Sequence, residues 1–184
     1  MGLLIQFIGS FALFYNKVLL WKNNNIGWIL GIIGITTLSW PVYQKHLWIN
    51  LVYHAGLATL MIYGYLYSTG LKHQLTKAWN LKIRFILSLL TFGLCVYLFI
   101  ETQNSKNFNE IQLFQATTGL AGVLFMAFGT RITKITGWIW NIASHFFATY
   151  LMIEKNLYIV AFFQILSVFV AILAIRKEIQ TRPS

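Results

Sequence analysis

The segment TGWIWNIASH, residues 136–145, places Trp138, Asn141 and His145 in an otherwise apolar stretch. A helix turns about 100° per residue, so these three side chains fall within about 60° of one another, and Trp140 points almost the opposite way. An indole, an amide and an imidazole then form one stripe about 10 Å long, at about 1.5 Å of rise per residue. Such a stripe can stack on a flat ring and hydrogen-bond the ring's substituents. Other polar groups recur at helical spacing. Asn50 and His54 are four apart and share a face. Gln115, Thr118 and Gly122 share another, and Gln164 stands midway along the last apolar run.

None of these groups is equipped to break bonds. The chain has no aspartate, and its four glutamates (Glu101, Glu110, Glu154, Glu178) lie at the ends of apolar runs or in loops. Hydrolysis by paired carboxylates or by a metal is unsupported, since His46 and His73 are loop residues without acidic partners. There is no Gly-rich phosphate loop for ATP hydrolysis, and no lysine midway along the last run to hold a retinal-type pigment. The expectation is a binding protein without enzymatic activity, cofactor or metal.

The elements that position these residues follow from composition. Of 184 residues, 58% are hydrophobic, 17% aromatic and only 10% charged, with a mean hydropathy of +0.65; soluble domains carry about 25% charged residues. Seven apolar runs stand out, at 3–20, 26–43, 47–67, 83–100, 111–129, 136–153 and 157–175. Each is long enough for a helix to cross a hydrocarbon core of about 30 Å. The fold class expected is an all-α membrane protein with seven transmembrane helices. The first run lacks a basic leader and a cleavage site, and reads as a span. Cys95, the single cysteine, reads as a packing residue. Inside a membrane, polar side chains are costly and point to function. Their alternative reading is interhelical hydrogen bonding, about 0.6 kcal/mol per pair. Trp21, Trp40, Trp48, Trp79 and Trp140 lie near run ends or point away, as in an aromatic belt.

The net charge of +10 follows topology. With the N-terminus outside, eleven basic residues fall inside (Lys17, Lys22, Lys72, Lys77, Lys82, Arg84, Arg131, Lys134, Arg176, Lys177, Arg182) and three outside (Lys45, Lys106, Lys155). This positive-inside asymmetry predicts N-out, C-in. It leaves no basic patch on a soluble surface for nucleic acid.

Sliding the sequence against itself by 110 residues lays NIGWILGIIGITTLSWPVYQKHLWINLVYH over ITGWIWNIASHFFATYLMIEKNLYIVAFFQ without a gap. Gly27/Gly137, Trp28/Trp138, Lys45/Lys155 and Leu47/Leu157 are among the identities, and Leu3/Leu113 and Gly9/Gly119 extend the match to the first run. The organisation expected is a three-helix repeat (1–67), a connecting helix at 83–100 with its loops (68–110), a second three-helix repeat (111–175) and a tail (176–184). An odd connector makes the two repeats parallel, an arrangement seen in transporters with a site near the midplane. Trp28 takes the place of Trp138 in the first repeat, with Gly31 and Ile35 where the second has Asn141 and His145. One wall is smooth and the other polar.

Three-plus-one-plus-three is the arrangement of the SWEET sugar transporters and of the PnuC vitamin transporters. SWEET relatives usually carry a Pro-Gln pair, whereas here Pro41 and Gln44 are separated. The local motifs resemble the PnuC family of nicotinamide riboside transporters and their thiamine- and flavin-precursor relatives. NNNIGWILGIIG resembles that family's entry to the second span. KHLWINLVYH, followed by Tyr63–Gly64–Tyr65, resembles its third span, and KITGWIWNIASHFFATYLMIEKNLY its sixth with the following hairpin. Asn141 stands at the family's second tryptophan, His145 at its acidic position and His54 at a frequent glutamine.

The resemblance implies facilitated uptake of a small aromatic vitamin precursor, nicotinamide riboside first, across a bacterial inner membrane. Net uptake would then depend on a cytoplasmic kinase that traps the substrate. The alternatives are thiamine or another precursor, then a sugar, then a non-transporting membrane subunit. The partners expected are the substrate and the bilayer, with self-association left open. The expected lining is Trp138, Asn141, His145, Asn50, His54, Gln115, Thr118, Gln164 and Trp28. A cationic ring can rest on an aromatic face for about 0.5–2 kcal/mol without a carboxylate.

Overall fold

A computed structural model describes residues 2–71, 76–104 and 110–180. The loop charges Lys72, Lys106 and Arg182, with His73, lie outside the described residues, as do the side chains of Lys77 and Glu101.

The described residues form seven long helices and no strand: α1 Gly2–Trp21, α2 Ile26–Gln44, α3 Trp48–Leu66, α4 Lys77–Asn104, α5 Glu110–Ala127, α6 Arg131–Glu154 and α7 Tyr158–Gln180. A short π-turn, Tyr67–Leu71, extends α3. Every expected run coincides with a helix. Five helical stretches, in α1, α2, α3 with its π-turn, α4 and α7, are long and apolar enough to cross a membrane. The helices α5 and α6 fall short because they carry Gln112, Gln115, Thr117, Thr118, Asn141, Ser144 and His145. Most of these point inward and are buried.

The hairpin turns α2–α3 and α6–α7, 110 residues apart, have the same backbone. Lys45 and Lys155 adopt φ/ψ of −91/8 and −89/8. His46 and Asn156 are left-handed, with φ of 55 and 59. In each, the left-handed residue's N–H returns to a carbonyl three residues back: His46 to Tyr43 at 2.9 Å and Asn156 to Ile153 at 3.0 Å. The next N–H reaches five back, Leu47 to Val42 at 3.2 Å and Leu157 to Met152 at 2.7 Å. This is the Schellman pattern, in which the following apolar residue folds back onto the helix. Leu47 and Leu157 do so and are each 1% exposed.

The helices pack as a closed ring: α1 on α2, α2 on α3, α3 on α5, α5 on α6, α6 on α7 and α7 on α1. The helix α4 leans on α5 and α3 from outside. Its Phe85, Leu89, Phe92, Tyr97 and Phe99 face outward, as expected of a lipid-facing surface. Glycines set the tightest contacts. A Cβ on Gly137 would lie 2.7 Å from the Gly122 carbonyl oxygen, and one on Gly34 would lie 2.9 Å from that of Gly9. Only glycine allows α6 onto α5, and α2 onto α1, at this separation.

The two ends of the ring differ. At the hairpin end, Leu38, Val42, Leu47, Leu151, Met152, Leu157, Val160 and Ala161 form a dry cluster. The other end gathers Lys22, Arg84, Arg131, Lys134, Arg176 and Lys177, and polar contacts join its helices. Lys134 Nζ donates to Asn23 Oδ1 at 3.0 Å, Arg131 donates to the Glu178 and Ile179 carbonyls at 2.7 Å, and Lys177 donates to the Trp21 carbonyl at 2.8 Å. Lys17 corrects the charge assignment. It belongs to α1, is 8% exposed, and faces the interior instead of a loop.

Candidate functional site

Among the described residues, the helices line a central cavity and a second one at the basic end. The central one, about 60 Å³, has polar groups from all six ring-forming helices except α2, which lends apolar wall: Ser10 and Lys17 from α1, Tyr53 and His54 from α3, Gln115 from α5, Asn141, Ser144 and His145 from α6, Gln164 and Ser167 from α7. The second, about 500 Å³, opens at the basic end between Trp28, Gly64, Tyr67, Arg84, Phe128, Lys134 and Trp138, among others. Pockets for small molecules run to about 300–1,000 Å³. The basic-end cavity falls in that range, and the central one must widen to take a nucleoside-sized molecule.

Trp28 and Trp138 line the same cavity. Trp28 is 6% and Trp138 2% exposed, and both border the basic-end cavity. Trp28 lies flat on α3, where a Cβ on Gly64 would sit 2.9 Å from its ring atoms. Trp140, on the opposite face of α6, is 41% exposed. The stripe of residues 138, 141 and 145 therefore runs from the basic-end cavity into the central one, with Asn141 at 3% and His145 at 7% exposure.

Beyond the tryptophans the groups are networked. Asn141 Nδ2 donates to the Gly137 carbonyl at 2.9 Å and to Met126 Sδ at 3.1 Å. A Cβ on Gly122 would meet that same amide at 2.7 Å, so the glycine makes its room. His145 Nδ1 is hydrogen-bonded to Gln164 Oε1, and its Nε2 is buried without a partner. His54 Nδ1 meets Ser39 Oγ at 3.0 Å. The Tyr53 hydroxyl hydrogen-bonds Ser144, whose Oγ donates to the Gln115 carbonyl at 3.0 Å.

Seven of the nine expected residues border one of the cavities: Trp28 and Trp138 the basic-end one, His54, Gln115, Asn141, His145 and Gln164 the central one. Asn50 and Thr118 border neither. Asn50 Nδ2 donates to Gln115 Oε1 at 2.9 Å, a buried bond joining α3 to α5. Thr118 turns its hydroxyl onto its own helix, 3.2 Å from the Gln115 carbonyl. Both sit where interhelical or intrahelical bonding satisfies them.

Lys17, Ser10, Tyr53, Ser144 and Arg84 belong to the lining and were not expected there. Lys17 left a trace in the sequence, because it stands inside the run 3–20 and not beyond it. The wall opposite Asn141 is less smooth than Gly31 implies. The space over Gly31 is taken by Met61 and by the Asn16 amide, which reaches across from α1 and donates to the Gly27 carbonyl at 2.7 Å. Arg84, from α4, donates to the Tyr67 hydroxyl at 2.7 Å and the Phe128 carbonyl at 2.8 Å, and its guanidinium lies 5.3 Å from both ring centroids. It ties α4 to the rim of the basic-end cavity.

A ring of helices around a cavity with two tryptophans in its wall and a polar chamber beside it can take up a small molecule with a flat ring and hydrogen-bonding substituents. No curated protein and no solved structure matches the chain. The nicotinamide mononucleotide transporter family matches residues 3–177, nearly the whole length. The chain therefore belongs to that family and is a multi-pass membrane transporter of the nicotinamide mononucleotide and riboside type.

Proposed function

We propose that this protein carries nicotinamide riboside by facilitated diffusion between two parallel three-helix units, α1–α3 and α5–α7. The observation that carries this reading is that Trp28 and Trp138 line one cavity and that the α6 stripe continues from it through Asn141 and His145 into the polar chamber. A cationic pyridinium rests on such faces for about 0.5–2 kcal/mol, and the ribose hydroxyls have Asn141, His145, Gln164 and His54 to bond beyond it.

The matched hairpin turns support the reading of two equivalent units, and the ring contacts α1 on α7 and α3 on α5 are the natural seams between them. The basic end takes the inner side of a bacterial cytoplasmic membrane by the positive-inside rule. With the hairpin end sealed by apolar side chains and the basic end open, the conformation faces inward. Switching outward requires the Leu47 and Leu157 cluster to part.

Among the described residues, no carboxylate lines the central cavity to couple transport to protons or sodium. Accumulation then has to come from a cytoplasmic kinase that phosphorylates the riboside. In liposomes, labelled nicotinamide riboside should equilibrate without an ion gradient and should not be concentrated. Sustained accumulation under an imposed pH gradient would overturn the facilitator reading.

A further inference from the structure

We propose that Arg84 is the latch of the inward-facing state: inserted from α4 between the ends of α3 and α5, it holds the basic end open and must withdraw before that end can close. This rests on the transport reading and assigns one of its moving parts. Arg84 Nη2 donates to the Tyr67 hydroxyl at 2.7 Å and to the Phe128 carbonyl at 2.8 Å. Asn80, one turn earlier on the same face of α4, donates from Nδ2 to the same hydroxyl at 3.2 Å. The guanidinium lies over the Tyr67 and Phe128 rings, 5.3 Å from each centroid. An oxygen and a ring from each side of the α3–α5 seam thus converge on a single cation.

Tyr67 stands where α3 gives way to its π-turn, and Phe128 just past the end of α5, in the turn to α6. The next residue, Gly129, has a φ of 73, and a Cβ there would lie 3.5 Å from Tyr67 Cε1. All of these residues share the basic-end cavity with Trp28 and Trp138. The helix α3 closes the first unit and α5 opens the second, so this side of the cavity narrows only when their ends approach. A planar guanidinium layered on both rings occupies the space they would close into.

The other seam is built differently. Lys177 stands 110 residues after Tyr67 and donates straight from α7 to the Trp21 carbonyl at the end of α1, at 2.8 Å. At this end α7 bonds α1 directly, whereas α3 and α5 are bridged through a side chain of α4. That helix leans on the ring from outside, and its Phe85, Leu89 and Phe92 face outward. An element with few buried contacts shifts at low cost. Arg84 Nε is buried without a partner, and an unused buried donor weakens the hold of the contact. Both features suit a bond that breaks in every cycle.

The test follows one cysteine in the central cavity, Ser144→Cys in a Cys95→Ala background, with a membrane-impermeant thiol reagent. The reagent is added to intact cells and to inverted vesicles, and a separate cysteine at Lys155 marks which preparation exposes the hairpin end. Arg84→Gln should raise labelling from the hairpin end about tenfold, as loss of one charge-assisted hydrogen bond allows, without raising it from the basic end. Tyr67→Phe, which keeps the ring and removes one acceptor, should shift labelling the same way by a smaller factor. A role in packing alone would loosen the bundle and raise labelling from both ends. That result, or unchanged labelling in Arg84→Gln, would overturn the latch and leave the transport reading standing. The transport reading falls separately, if the wild-type protein does not carry nicotinamide riboside.

Discussion

Trp138→Ala separates a ligand face from a packing face, provided stability is measured alongside binding. The indole is 2% exposed and packs in the core cluster with Met126, Ala127 and Ala174. A buried tryptophan removed to alanine costs about 3–5 kcal/mol of stability, so a drop in transport alone decides nothing. The ligand term is separate. Losing one aromatic face under a cationic ring costs about 1–2 kcal/mol, or roughly five- to thirtyfold in affinity. Trp138→Phe keeps a ring at the cavity mouth and should retain most of the binding. Trp140→Ala removes a side chain 41% exposed on the outer face of α6 and should change affinity by less than about twofold. The assay is a titration of nicotinamide riboside on purified, correctly folded protein in nanodiscs, with the folded fraction set by size exclusion. Unchanged affinity in Trp138→Ala, or a greater loss in Trp140→Ala at equal folded fraction, would refute the placement of the ring.

Other consequences follow from contacts elsewhere in the ring. Gly137→Ala, whose Cβ would crowd the Gly122 carbonyl and the Met126 backbone nitrogen, should destabilise by about 1–3 kcal/mol in a thermal melt. Gly93→Ala, with open space at its Cβ on α4, should be neutral or slightly stabilising; equal effects would contradict the packing described. Leu157→Ala should cost about 2–5 kcal/mol and raise reactivity of a cysteine placed at Ser144 toward a reagent added from the hairpin end. No rise there would mean the apolar cluster is not the seal. Cysteines at Lys45 and Lys155 should label in intact cells, and one at Lys22 only after permeabilisation. Labelling of position 22 in intact cells would invert the orientation.

The helices were legible because a span needs about 20 apolar residues and the charges interrupt the chain at that interval. The buried stripe of α6 was legible because 100° per residue fixes which side chains share a face. What escaped is long-range. Tyr53 reaches Ser144 only because Gly119 leaves room between α3 and α6, where a Cβ would lie 2.8 Å from Ser144 Oγ. Nothing near Tyr53 in the chain marks that contact. Asn50 and Thr118 carry the same residue types as the cavity lining, yet their bonds go to Gln115 and to their own helix. Hydrogen-bonding capacity can be read from residue type, but the partner that absorbs it is set by tertiary neighbours. Lys17 sits a turn before the end of α1, where counting charges along the chain assigns it to a loop. Its place inside the run 3–20 hinted otherwise, and its burial against the other helices puts it in the chamber lining.

The most direct test of the central claim is counterflow in liposomes holding the purified protein and no ion gradient. Vesicles preloaded with unlabelled nicotinamide riboside should take up labelled riboside transiently and then fall to equilibrium, and Trp138→Ala at equal incorporation should slow the overshoot about five- to thirtyfold if rate follows affinity. Absence of any overshoot with the wild-type protein, under conditions where the protein is shown to be folded and inserted, would contradict the account.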